Sequence, residues 1–147
     1  MIKKGLISIS SIILLFILFG FILAETDEVK DNFRKGIEHT NQGNYDQAIQ
    51  IFTQVITDDK DYANAYLALG IVYINKKMEL EAVELLEQAI KLDPSNKKAY
   101  FILARLYEKL EDREKAIKTW EDFIGLNPDE RDIERAEKHL KRLKEKE

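Results

Sequence analysis

Beyond residue 28 the apolar positions recur at the spacing of one helix face. Between 63 and 96, Tyr66, Leu69 and Tyr73 mark one stripe, Lys76-Lys77-Met78-Glu79 interrupts it, and Ala82, Val83, Leu86, Ala89 and Ile90 resume it. Apolar residues three and four apart predict two amphipathic helices. No alternating strand pattern competes, so the predicted fold class is all-α. The breaks carry turn and cap chemistry. Asn41-Gln42-Gly43-Asn44 predicts a turn, with Asn44 and Gln47 spaced as a capping box. Ser95 is placed to cap a helix beginning near Asn96. Asn127-Pro128-Asp129-Glu130 predicts a further start, with Asn as cap and Pro at the first helical position.

The stripes repeat. Gly36, Gly70 and Ala104 are 34 residues apart, and so are Ala48, Ala82 and Ala116; Phe52, Leu86 and Trp120; Val55, Ala89 and Phe123; and Pro94 and Pro128, with Lys60 where a third proline would fall. A fixed period of this length predicts stacked units, each too small to bury its own apolar stripe, so that about three are needed together. Glycine inside a helix costs about 1 kcal/mol relative to alanine. Gly36 and Gly70 therefore predict close approach of the first helix of a unit to the second, whose own small residue is Ala48, Ala82 or Ala116, while Phe52, Leu86 and Trp120 fill the remaining space.

These residues resemble the tetratricopeptide repeat, whose signature is an aromatic, Leu-Gly and Tyr, then Ala-x3-Phe and Pro. Tyr66-x2-Leu69-Gly70-x2-Tyr73, Ala82-x3-Leu86 and Pro94 follow it, as do Tyr100-x2-Leu103-Ala104-x2-Tyr107, Ala116-x3-Trp120 and Pro128. The first unit keeps Gly36, Gly43, Tyr45, Ala48 and Phe52 but has Asn32, Lys35 and His39 where its sisters are aromatic or aliphatic. The resemblance implies a right-handed α-solenoid of three helix pairs, over 29–62, 63–96 and 97–130, closed by a C-terminal capping helix over 131–147 that carries Ile133, Ala136, Leu140 and Leu143 on one stripe. A polar first helix and a charged last one suit the two ends of such a stack. A partner-binding amphipathic segment stays open for the last helix.

The same resemblance implies a concave groove, lined by the first helix of each unit, that holds an extended peptide or a helix. It puts at the groove Lys30, Phe33, Ile37 and Asn41; Asn64, Leu67, Ile71 and Asn75; and Lys98, Phe101, Arg105 and Lys109. One subgroup clamps a C-terminal carboxylate with Lys and Asn from the first unit. Phe33 and Ile37 stand in those places here, which implies a groove that reads apolar side chains, with Asn and basic residues at its margins. Packing inside the stack is the second reading for the apolar members.

The N-terminus has a different pattern. Lys3 and Lys4 precede a run of 20 uncharged residues from Gly5 to Ala24, and Glu25, Asp27 and Glu28 follow it. Twenty helical residues cover roughly 30 Å, a bilayer's hydrocarbon thickness. Basic residues before the run and acids after it leave the N-terminus in the cytoplasm and the repeats on the extracytoplasmic side, the periplasm in a bacterium. Two further readings stay open: a signal peptide cleaved after Ala24, and a helix buried in the core. The run exceeds the usual cleavable length of roughly 7–15 residues, and Ile22 is bulky where a small residue belongs, so the anchor is the favoured reading.

Charge and composition narrow the chemistry. Beyond residue 24 there are 21 basic and 27 acidic residues, a net of −6, which offers no clustered basic face for nucleic acid. With no cysteine there is no disulfide, thiolate metal site, cysteine nucleophile or lipidated cysteine. The only serine after residue 24 is Ser95, and His39 and His139 lie 100 residues apart, His39 in the place of Tyr73 and Tyr107. The acidic run Asp58-Asp59-Lys60-Asp61 reads as a solvated turn. No nucleophile motif, phosphate loop or metal motif occurs. The expectation is a non-catalytic interaction or scaffold module, tethered at a membrane, with no cofactor, no metal and no small-molecule substrate. The alternative is a secreted domain that assembles with itself, and homo-oligomers stay open in either case.

Overall fold

The computed structural model describes residues 27–145. The apolar run at 5–24, with its anchor and signal readings, lies outside them. Among the described residues seven helices follow one another: α1 over 27–41, α2 Tyr45–Asp58, α3 Ala63–Asn75, α4 Glu79–Leu92, α5 Lys97–Lys109, α6 Arg113–Gly125 and α7 Glu130–Glu145. Among the described residues there is no strand, and no helix is long and apolar enough to cross a membrane. Each helix from α2 onward packs on the next, and α1 meets α2 through Phe33 and Phe52, ring centroids 5.6 Å apart. The all-α expectation holds.

The turn inside each pair is the same device three times. Gly43, Lys77 and Glu111, spaced by 34 residues, have positive φ of 77°, 61° and 60°. At each, the following residue donates its N–H back across the turn, Asn44 to the His39 carbonyl, Met78 to Tyr73 and Asp112 to Tyr107. The positive-φ residue itself donates to the Thr40, Ile74 or Glu108 carbonyl. This paired closure satisfies carbonyls that a helix end leaves free. Only the first turn uses glycine, although a left-handed non-glycine residue costs roughly 1–2 kcal/mol.

The caps differ from the sequence reading. Asn44 precedes α2, but its side chain makes no cap hydrogen bond; its Nδ2 donates to Gln42 Oε1 at 3.0 Å instead. Asn96, rather than Ser95, caps α5 by accepting from the Ala99 N–H at 3.1 Å. Ser95 turns back, its hydroxyl donating to Asp93 Oδ1 at 2.7 Å. α7 starts two residues later than Pro128: Asn127 adopts φ 55° and Asp129 accepts from the Asp132 N–H at 2.9 Å.

Small residues face large ones across each pair, and the large one lies directly opposite the glycine. A Cβ on Gly36 would fall 2.5 Å from Phe52 Cε1, whereas on Gly70 it would fall 3.2 Å from Leu86 Cγ and 3.5 Å from the Ala82 carbonyl oxygen. Phe52, Leu86 and Trp120 are all completely buried, and Ala104 shares its cluster with Trp120 and Phe123. Gly36→Ala gains helix propensity but drives a methyl into a ring that cannot retreat, so a net loss of about 1–2 kcal/mol is expected. Gly70→Ala is expected to stay within about 1 kcal/mol of wild type, because Leu86 need yield only slightly. Urea midpoints compare the two, and equal shifts would refute the graded contact.

The ends of the stack are polar on their outer sides. On α1, Lys35 Nζ donates to Asn32 Oδ1 at 3.4 Å, and half-buried His39 has an Nδ1 without a hydrogen-bond partner. On α7, Ala136 is fully buried, and Leu140 and Leu143 pack against the Trp120 and Phe123 cluster. Glu134, Glu137, Lys138 and Lys141 on the same helix are exposed. A lysine beside Glu134 holds that carboxyl below its usual range, with Lys138 donating to it at 2.8 Å.

Candidate functional site

α1, α3 and α5 carry the twelve residues implied for the groove, and these divide by burial. Lys30, Ile37, Asn41, Asn64, Asn75, Lys98, Arg105 and Lys109 are exposed. Phe33, Ile71 and Phe101 are half-buried. Phe33 stands edge-on to Tyr62 at 5.2 Å, and Phe101 edge-on to Trp120 at 5.2 Å and to Phe123 at 5.6 Å. Leu67 is a correction: at 7% exposure it belongs to the core with Ala82, Leu86 and Leu103. It lies in the middle unit, covered from both sides, so its side chain is spent on packing.

Two cavities open on the Phe101 side of α5. The first, about 370 Å³, lies between α3 and α5 and is lined by Ile74, Phe101, Ile102, Arg105, Leu106 and Lys109. The second, about 380 Å³, is lined by Lys97, Lys98, Phe101, Phe123, Asp132 and Arg135, and α7 forms one of its walls. Phe101 is common to both. Each floor is apolar and each rim basic. Lys109 pairs with Glu79 across the first rim, and its hydrogen bond holds the Glu79 carboxyl below the usual range. Arg135 pairs with Asp132 at 3.1 Å on the second. Among the described residues, Lys98 and Arg105 form no ion pair.

Sequence reasoning missed Ile74, Ile102 and Leu106, which sit on the flank of the implied face, and the whole contribution of α7. A signal for the latter was present: Asp132 and Arg135 follow Lys98 and Phe101 by 34 residues, so α7 continues the register of the first helices.

Behind the second cavity a polar cluster clamps α7 to the stack. Glu108 Oε1 accepts from Trp120 Nε1 at 2.7 Å and lies 2.7 Å from His139 Nδ1, while Arg142 pairs with the other carboxylate oxygen. The His139 ring stacks on Trp120 at 4.7 Å. Arg113 Nε donates to the Leu143 carbonyl at 2.7 Å near the end of α7. On the second-helix side, burial and a hydrogen bond to Glu87 push the Tyr107 phenol above its ordinary range. Among the described residues no three His, Asp or Glu side chains converge to hold a metal ion. The geometry offers shaped apolar sockets and fixed charges.

A family model described as "Anaphase-promoting complex, cyclosome, subunit 3" matches residues 41–123. No curated protein matches the chain. Among solved structures, the first tetratricopeptide domain of Spaghetti (RPAP3) bound to the HSP90 peptide SRMEEVD superposes with a TM-score of 0.72 at 24% identity, over 80% of this chain and 91% of that one. The second such domain of human RPAP3, in complex with the HSP70 peptide SGPTIEEVD, gives 0.72 at 24% identity over 83% and 99%. PcrH in complex with the chaperone binding region of PopD gives 0.74 at 20% identity over 81% and 92%. With more than half its length inside the family model and the helix pairs in place, the chain belongs to this family of tetratricopeptide repeats.

Proposed function

We propose that this chain is a non-catalytic interaction module that holds a peptide or helix of a protein partner along the surface formed by α1, α3, α5 and α7, tethered at a membrane by residues 5–24 with the repeats on the extracytoplasmic side. The observation that carries the binding part is the pair of apolar cavities astride Phe101, each rimmed by a cation without a carboxylate partner among the described residues. An apolar socket with a few placed polar groups is what ligand recognition requires. The shared fold supports it, since the RPAP3 and PcrH structures were each solved with a polypeptide partner bound. The tether rests on the 20 uncharged residues and the charge order around them.

Photocrosslinkers at exposed Asn64 and Asn75 test the surface against the same groups at Gln50 and Glu84 on the second helices. Capture of one shared partner from the α3 positions, abolished by Arg105→Glu, is the expected result; capture only from Gln50 or Glu84 overturns the reading. For the tether, the full-length chain is expected in washed membranes at intact mass. A soluble species shortened by 24 residues would select cleavage after Ala24 instead.

A further inference from the structure

α7 and its seat lie on opposite sides of one short connection. The seat is made by α5 and α6: Glu108 takes His139 and Arg142, Glu121 accepts from Lys144 Nζ at 2.8 Å, Arg113 donates to the Leu143 carbonyl at 2.7 Å, and Trp120 stacks on His139. Every guest residue belongs to α7, in which Ala136 alone is buried. These contacts are directional and mostly between opposite charges. None requires that seat and guest be parts of one molecule.

The connection is turned against its own preference. The repeat places Asp59, Asp93 and Asn127 at the same point, in the connections after α2, α4 and α6. Asp59 and Asp93 are extended, with φ of −135° and −129°, whereas Asn127 has φ 55°. Proline follows both Asp93 and Asn127, and the residue before a proline favours extended backbone. Asp93 obeys this preference. Asn127 is instead a left-handed non-glycine residue in front of a proline ring. Pro128 also keeps α6 and α7 from fusing into one helix. Extending the connection, as at Asp93, relaxes Asn127 and carries α7 away from its own α6.

We propose that two copies of this chain exchange α7, each helix seating on α5 and α6 of the other copy by the contacts above while residues 126–129 extend. A strained hinge favours such an exchange, and trading an identical element closes a pair without any new surface chemistry. The charge match between Glu108 and Glu121 on the seat and His139, Arg142 and Lys144 on the guest fixes how the second copy docks. The exchange also reaches the groove. The cavity lined by Lys97, Lys98, Phe101 and Phe123 then receives Asp132 and Arg135 from the other copy, so that each of the two sites in the pair is built from both chains. The inference uses neither the groove's ligand nor the tether, and it stands or falls apart from both.

The chain has no cysteine, so introduced thiols report alone. Two differently tagged full-length copies, one with Glu121→Cys and one with Lys144→Cys, are produced together and treated with a short bismaleimide in the undiluted lysate. Both positions are exposed, and losing a surface ion pair there costs little stability. The expected result is a covalent pair of the two copies linked through 121 and 144, at a yield well above that from Gln50→Cys with Lys144→Cys. Added to both copies, Asn127→Gly is expected to lower the yield about tenfold, because glycine adopts positive φ freely and the closed hinge loses its strain. Asn127→Val is expected to raise it, because a β-branched residue resists that conformation. A chain bearing both cysteines that closes only within itself, with no link between the mixed copies, overturns the proposal. So does a mixed link whose yield neither hinge substitution moves, since that marks association through another surface.

Discussion

Trp120→Ala is expected to lower the unfolding free energy by about 3–5 kcal/mol, the range for deleting a large aromatic side chain from a packed core. The indole is completely buried, meets Phe101 and Phe123 edge-on at 5.2 and 5.8 Å, and carries His139 stacked on its face. Such aromatic pairs contribute beyond the area they bury. The substitution also takes from Glu108 the N–H that its Oε1 accepts at 2.7 Å, leaving the carboxylate to Arg142 and His139. Urea unfolding followed by circular dichroism measures the effect, since the chain has a single tryptophan and loses that fluorescence reporter with the mutation. A midpoint unchanged from wild type would mean that the third unit and α7 do not depend on this side chain.

Ala136→Asp attacks the same region from the other side and should act locally. Ala136 is fully buried against the cluster of Ala104, Trp120 and Phe123, where a carboxylate would have no partner; an uncompensated buried charge costs about 3–5 kcal/mol. Stability in a stacked array is close to a sum of unit and nearest-neighbour terms. The expected outcome is therefore release of α7, with α3 and α4 still folded. Hydrogen exchange should show the amides of 130–145 losing protection while those of Leu69 and Val72 keep theirs. Uniform loss along the chain would show one cooperative block rather than neighbour-by-neighbour docking.

The helix pairs were legible because the period of small and bulky residues reports a contact that each unit must make, Gly36 with Phe52 and Gly70 with Leu86. Cap chemistry was less so. Asn44 and Asn96 both precede a helix, yet only Asn96 uses its side chain as a cap, because Asn44 turns its amide to Gln42. The left-handed turns at Lys77 and Glu111 leave no mark in residue type, since backbone closure alone holds them. At the groove, Phe33, Leu67 and Phe101 occupy one repeat position, but Leu67 alone is withdrawn into the core. Position in the stack, which sets how many neighbours cover a residue, decides between such twins, and a single sequence position does not record it.

The graded contacts across the three pairs have a consequence for how the chain assembles. A protein made of look-alike segments risks a helix finding the wrong mate while it folds, a characteristic failure of repetitive chains. Phe52 leaves no room even for a methyl group opposite it, whereas Trp120 already faces Ala104. The helix containing Ala104 thus collides if it settles against the mate of Gly36, so shape alone disfavours that wrong couple.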